Sequence, residues 1–226
     1  MNRFLLAAVA AMTFAGIHPG TASADPIRTA TVNTHPSQGA VTEVAGANAA
    51  LLTHEDGVFV SFDTNALTPG HVHTLWLVVI NNPAACYDAD AVAAGTKKAP
   101  EDCNSRDVLL RSDAVRSDVG FAGGVIVGED GMARFAYHQP EGALTGGWFG
   151  AGLEQSDTAE VHLVVNDHGP LIAGRERAML TSYRDGCKDD SIPGPMPAAA
   201  RVDGAAGPNV CRLVQTAVFK LPNEAG

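Results

Sequence analysis

Two histidines that stand one residue apart are the residues of this sequence best suited to chemistry. His71 and His73 open the hydrophobic segment His71 to Asn81, HVHTLWLVVIN. In a β-strand, residues i and i+2 face the same side and lie about 6.6 Å apart, so both imidazoles could reach one metal ion. Imidazole is a common ligand of Cu(II) and Zn(II). The pair predicts a copper or zinc site, unless it simply forms the polar end of a strand.

Further ligands depend on the direction of a second hydrophobic segment, Ala159 to Asn166, AEVHLVVN. His162 and His168 are six residues apart, or roughly 20 Å of extended strand, so they cannot both join one metal. An antiparallel arrangement, the commoner one in all-β proteins, brings His168 to the histidine pair, whereas a parallel one brings His162. By the same logic His138, at the end of a predicted hairpin strand, reaches this edge. The predicted metal ligands are His71, His73, His168 and His138.

Catalytic motifs are not recognisable in the sequence, and no catalytic residue is assigned. Asp167 and His168 are adjacent, and adjacent strand residues point in opposite directions, so they make a poor acid–base pair. Asp167 is expected to serve the turn before Gly169. Trp148 and Phe149 lie in a glycine-rich stretch and could form a platform for a glycan or a partner, or could anchor the loop to the body.

The elements that must position these residues are mostly strands. The segment after His71 is apolar on both sides, which predicts a central strand covered on both faces. Asp-Gly at position 130 predicts a hairpin, Asp107 to Ser112 is a short strand candidate, and Arg175 to Tyr183 is a short helix candidate. Frequent strands with Gly/Pro turns predict an all-β protein, an antiparallel Greek-key-type β-sandwich with long loops pinned by disulfides.

The first 24 residues read as a secretory signal peptide rather than as part of the fold. Arg3 precedes an apolar run, and Ala22 to Ala24 forms a small-residue cleavage signature. Residues 25–226 are predicted to form a single exported domain, periplasmic or extracellular. No later segment approaches the roughly 20 apolar residues of a membrane span, and the net charge of −10 disfavours nucleic acid as a partner. The expected partner is a small ligand or a protein.

Four cysteines, an even number in an exported chain, predict disulfides. Three pairings are conceivable. Cys86 with Cys103 and Cys187 with Cys211 is the favoured one, because each pair brackets a stretch rich in Pro, Gly, Asp and Asn.

The segment Gly70 to His73, together with Cys86 in the following loop and Cys211 in the last strand, resembles copper/zinc superoxide dismutases and the related CHRD-type sandwich domains. The resemblance implies a Greek-key sandwich that holds copper through His71 and His73 and through His138 or His168. It also implies a Cys86–Cys211 disulfide, in competition with the local pairing. The chain departs from the family in lacking any histidine between His73 and His138, where the zinc subsite would lie.

Three functions from different classes follow. The first is an exported binding or interaction module, with or without a histidine metal site. The second is a mononuclear copper protein with redox chemistry, including superoxide dismutation. The third is a hydrolytic or glycan-directed activity near Trp148 and Phe149, for which no acid pair is recognisable.

Overall fold

The architecture was analysed in a computed structural model of the chain. It describes residues 27–86, 103–109, 113–192 and 196–220. The predicted signal peptide, residues 1–24, lies outside the described residues. Within the described ranges, no helix is both long enough and apolar enough to cross a membrane.

In the described part of the chain, nine strands form two antiparallel sheets. In chain order they are β1 Ile27–Ala30, β2 Asn33–Thr34, β3 Asn48–His54, β4 Gly57–Thr64, β5 His71–Ile80, β6 Ser117–Ile126, β7 Ala133–Pro140, β8 Glu160–Pro170 and β9 Arg212–Phe219. One sheet has the order β1-β3-β4-β7 and the other the order β2-β9-β8-β5-β6. The described helices are short: α1 Ser105–Leu109, α2 Glu176–Thr181 and α3 Ala198–Val202.

The connections have the Greek-key character that the sequence predicts. After the antiparallel β5–β6 pair, β7 returns to lie beside β4, and β8 then returns to lie beside β5. All these pairings are antiparallel, and the two sheets enclose a common apolar core. The predicted all-β sandwich is confirmed.

The central strand β5 is buried along almost its whole length, as its two apolar faces predict. Leu75, Leu77 and Val79 point between the sheets and join the inner core. Trp76 and Val78 point the other way, into a second hydrophobic cluster on the outer face of the five-stranded sheet. Strand β5 is therefore shared by two separate cores.

The outer cluster is covered by loops and short helices that both disulfides hold in place. Cys86 is bonded to Cys103, and Cys187 to Cys211, with Cα–Cα distances of 5.0 and 5.4 Å. This is the local pairing, and the Cys86–Cys211 bridge implied by the family resemblance is not formed. All four cysteines belong to the outer cluster.

Two local elements differ from the sequence predictions. The strand predicted over Asp107 to Ser112 is instead helix α1 as far as Leu109, because the Asp107 carboxylate accepts a hydrogen bond from the Asn104 N–H and so caps the start of a helix. Residues 110–112 of that prediction lie outside the described residues. Strand β8 runs on past Asn166 to Pro170, since Gly169, with φ of 77°, allows a bulge where a turn was expected. The helix predicted near Arg175 is observed as α2.

Candidate functional site

His71 and His73 lie on the same face of β5, and a carboxylate from β8 joins them. Their ring centroids are 6.3 Å apart, close to the spacing expected from strand geometry. Asp167 Oδ1 lies 2.9 Å from His71 Nδ1 and 3.8 Å from His73 Nε2. The same oxygen accepts the Gly169 N–H at 2.7 Å, so Asp167 also serves the bulge, near the turn role that its position predicted.

The two histidines differ in their surroundings. His73 is 1% exposed and its Nδ1 is buried without a hydrogen-bond partner in the described chain, whereas His71 is partly open to solvent. Desolvation lowers the pKa of His73 to about 4, although the Asp167 carboxylate opposes this shift. A buried neutral imidazole beside a carboxylate supplies the N and O donors that Cu(II) and Zn(II) accept.

His168 reaches the same end of the sheet but lies on its outer face. Its Nδ1 donates to the Asp185 carbonyl at 3.0 Å, and its Nε2 lies 2.9 Å from Thr74 Oγ1 and 3.2 Å from Asn166 Nδ2. The Trp76 indole N–H donates to the same threonine oxygen. Both ring nitrogens of this fully buried histidine are thus engaged in a structural network, and His168 does not join His71 and His73 as the sequence suggested.

His168 also lies beside a disulfide. Its nitrogen and the sulfurs of Cys187 and Cys211 lie within 4.8 Å of one another, a grouping that could in principle hold a metal. The two sulfurs are bonded to each other, however, and only a thiolate is a good metal ligand. While the disulfide is intact, these three side chains form part of the outer core rather than a metal centre.

His138 is placed in the other sheet, away from the predicted metal edge. It pairs with Phe59 in β4 and stacks on that ring with centroids 4.0 Å apart, on the exposed face. The chain leaves β4 at Thr64 to reach the histidine pair, and Thr64 is paired with Ala133 of β7. Ala133 is five residues from His138, or about 17 Å of extended strand. The expectation that His138 reaches this edge is corrected.

A pocket of about 510 Å³ opens on the outer face of the five-stranded sheet. Its volume lies in the range typical of small-molecule sites. The wall is mainly apolar, with contributions from β5, β8, β9, α1 and the loops that carry Trp148 and Tyr183. The residues that line it include Trp76, Val78, Trp148, His162, Val164 and Tyr183.

Aromatic rings form one wall of this pocket. Trp76 and Tyr183 pack with ring centroids 5.2 Å apart, and Trp148 lies 5.2 Å from the first and 4.8 Å from the second. The indole nitrogen of Trp148 is buried without a partner among the described residues and is shielded from the pocket. Burial raises the pKa of Tyr183, so its hydroxyl keeps its proton. Both tryptophans of the chain therefore face one cavity.

A buried histidine–carboxylate pair contributes a polar point to the wall. His162, opposite Val78 of β5, is 8% exposed, and its Nε2 is hydrogen-bonded to the carboxylate of Glu160, which is 1% exposed. The partner of this buried histidine is thus a side chain two residues away on the same face. Glu160 lies behind His162 and does not line the pocket.

Asp118 fixes the loop that carries Trp148. This buried residue of β6 uses both carboxylate oxygens to accept backbone N–H groups at 2.8–3.1 Å. The donors are Val119, Phe149, Gly150 and Gly152. Gly152 has φ of 69°, and a Cβ there would lie 2.2 Å from the Gly142 carbonyl oxygen. The loop accordingly has one conformation into which glycine fits.

Sequence reasoning missed Asp167, Asp118 and the pocket for different reasons. Strand alternation placed Asp167 and His168 on opposite faces, but the register that selects the face was not readable. Asp118 bonds to residues about thirty positions away. The glycine-rich stretch around Trp148 was the one available signal for the pocket. It did not indicate that Trp76 and Tyr183 pack against Trp148.

Comparison with known proteins gave no relative. The chain matches no protein-family model, and it matches no curated protein.

Proposed function

We propose that this protein is an exported binding protein that holds a small, largely apolar molecule in the pocket on the outer face of the five-stranded sheet. The observation that carries the proposal is the pocket of about 510 Å³ with an aromatic wall. Protein interiors normally fill such space with side chains, so a large cavity with fixed walls favours a ligand. Paired cysteines support an oxidising location, the periplasm or outside the cell.

The arrangement of the wall adds support. The sandwich has an inner core between its two sheets, and the outer layer is a second cluster built from disulfide-bonded loops and a loop fixed by Asp118. Rigid, preorganised walls reduce the ordering cost of binding. This is the structure expected of a receptor for a ligand rather than of a purely structural layer.

The test uses the neutral fluorescent probe N-phenyl-1-naphthylamine and energy transfer from the two tryptophans. We expect saturable binding to the native protein. Val164→Phe, which places a ring inside the pocket, should weaken binding at least about tenfold, or 1.4 kcal/mol. Val210→Phe makes the same change at a surface position that is 57% exposed and should leave affinity unchanged. Absence of saturable binding, or equal binding by Val164→Phe, would contradict the proposal.

A copper-binding function is the second candidate, and the position of Asp167 between His71 and His73 favours it. Two imidazoles and a carboxylate at one end of strands β5 and β8 would provide a mixed N and O ligand set. Redox chemistry such as superoxide dismutation would then occur near the partly exposed His71. We place His168 and His138 outside this ligand set, since the first is engaged on the opposite face and the second lies in the other sheet.

Metal analysis of the mature protein, purified without a histidine tag and offered copper and zinc in turn, tests this candidate. Near-stoichiometric copper should be lost in His71→Ala/His73→Ala and retained in His138→Ala. Unchanged metal content in the double variant would refute the site. Copper-loaded protein that consumes superoxide no faster than free copper would refute dismutation while leaving metal binding intact.

A further inference from the structure

We infer that the ligand of the outer pocket is a neutral, apolar ring compound with a hydroxyl group that donates a hydrogen bond to His162 Nδ1. This inference rests on the proposed binding function and specifies its ligand class. It is carried by the His162–Glu160 pair, in which His162 lines the pocket and Glu160 is hydrogen-bonded to its Nε2 atom.

The carboxylate of Glu160 sets the orientation of the His162 ring. We assign to His162 the tautomer in which Nε2, the atom in contact with Glu160, donates its proton to that carboxylate, since an ionised carboxylate can only accept hydrogen bonds. The other nitrogen, Nδ1, then carries a lone pair and is an acceptor. Because Glu160 is buried, this tautomer is fixed by the interior of the protein rather than by solvent.

Nδ1 of His162 is open to a bound molecule. Among the described residues it has no hydrogen-bond partner, and unlike His73 Nδ1 and Trp148 Nε1 it is not a buried unpartnered atom. Since His162 lines the pocket, this accessible nitrogen faces the space that a ligand would occupy. An acceptor at that point selects a ligand that carries a donor.

The apolar part of the wall disfavours a charged ligand. Trp76, Val78, Trp148 and Val164 provide apolar surface, which cannot replace the hydration of an ion. An anion would also lie near the Glu160 carboxylate in a protein of net charge −10. A hydroxyl on an apolar ring satisfies both conditions, because it donates one hydrogen bond and leaves the ring to pack on the aromatic wall.

Three matched probes test the inference by isothermal titration calorimetry at pH 8: 2-naphthol, 2-methoxynaphthalene and 2-naphthoate. The hydroxyl compound donates, the ether only accepts, and the carboxylate is charged. We expect the native protein to bind 2-naphthol about tenfold more tightly than the ether, as one hydrogen bond to a buried acceptor predicts, and to bind 2-naphthoate least. His162→Phe should abolish the preference for 2-naphthol over the ether, while His54→Phe, outside the pocket, should retain it.

Because His162→Phe leaves Glu160 buried without its partner, a measurement on the native protein accompanies it. The ¹⁵N resonance of His162 Nδ1 should shift on addition of 2-naphthol and stay in place on addition of the ether. Equal affinity for 2-naphthol and the ether, both reduced by Val164→Phe, would overturn the inference and leave the binding function standing. Binding of neither these compounds nor N-phenyl-1-naphthylamine would overturn both.

Discussion

Asp167 and His168 are consecutive residues of β8, but their side chains lie on opposite faces of the five-stranded sheet. Asp167 contacts His71 and His73 on the inner side, and His168 bonds Thr74 on the outer side. The pairing of His73 with Asp167 decides this division. A shift of register by one residue would exchange the two side chains. The candidate metal ligands His71, His73 and Asp167 therefore lie on one face of the five-stranded sheet, and the outer pocket lies on the other face.

Replacement of Asp118 should release the loop that carries Trp148. Asp118→Asn keeps the shape of the side chain, but its NH₂ group is a donor. It would face backbone N–H groups whose hydrogen bonds the native carboxylate accepts. Loss of these bonds should lower the free energy of unfolding by about 1–3 kcal/mol and weaken binding of N-phenyl-1-naphthylamine. A red shift of tryptophan emission would report the loosened wall.

The exposed residue Asp157 provides the matched control for this substitution. Asp157→Asn removes the same charge and should leave stability within about 0.5 kcal/mol of the native value. Unchanged emission and unfolding in Asp118→Asn would show that the carboxylate does not fix the loop.

Stability should fall on mild acidification because buried histidines resist protonation. Burial lowers the pKa of His168, against the opposing effects of the Asp185 carbonyl and of the Asp167 and Asp185 carboxylates, and desolvation lowers that of His73 to about 4. The unfolded chain takes up these protons near pH 6.5 and the folded chain does not, so their contribution is complete above about pH 6.5 and is lost below it. Each histidine should contribute a slope of up to about 1.4 kcal/mol per pH unit.

Urea unfolding at about pH 7.5 and about pH 5.5 measures this dependence on the two sides of the ordinary histidine pKa. His168→Gln should have a shallower dependence than the native protein, and His138→Gln, at an exposed position, should keep the native slope. Equal or greater stability at the lower pH would contradict the assignment of neutral buried histidines.

The Cys187–Cys211 bond should stabilise both the fold and the pocket. Its removal in Cys187→Ala/Cys211→Ala opens a loop of sequence separation 24, which costs roughly 3 kcal/mol on the chain-entropy account. Both residues belong to the outer cluster, so probe affinity should fall as well. Peptide mapping without reduction checks the pairing, and a fragment that links Cys86 to Cys211 would disprove it.

Truncation of Leu77 should separate stability from binding. Its side chain is 1% exposed in the inner core, so Leu77→Ala should cost about 2–5 kcal/mol of unfolding free energy. Under conditions where the variant is folded, probe affinity should stay near the native value, since the cavity forms on the other side of β5. A large loss of affinity in the folded variant would show that the two cores are coupled.

The fold was predictable from local patterns, whereas the sites were only partly so. Two apolar faces on β5 and cysteines that bracket polar loops led to the sandwich and to the observed disulfides. The spacing of His71 and His73 was also readable, since it depends on strand geometry alone. The face taken by His168, the contribution of Asp167 and the sheet that holds His138 depend on register and topology, which connect residues far apart in sequence.

The alternation of β5 between two cores also has an evolutionary consequence. Leu75 and Leu77 are constrained by the inner core, and their neighbours Trp76 and Val78 by the pocket. Under the proposed binding function, selection for folding and selection for ligand therefore act on alternate positions of one strand. Relatives that acquire a different ligand should diverge at the even-numbered positions and keep the odd-numbered ones, so the sandwich can be inherited unchanged while its specificity drifts.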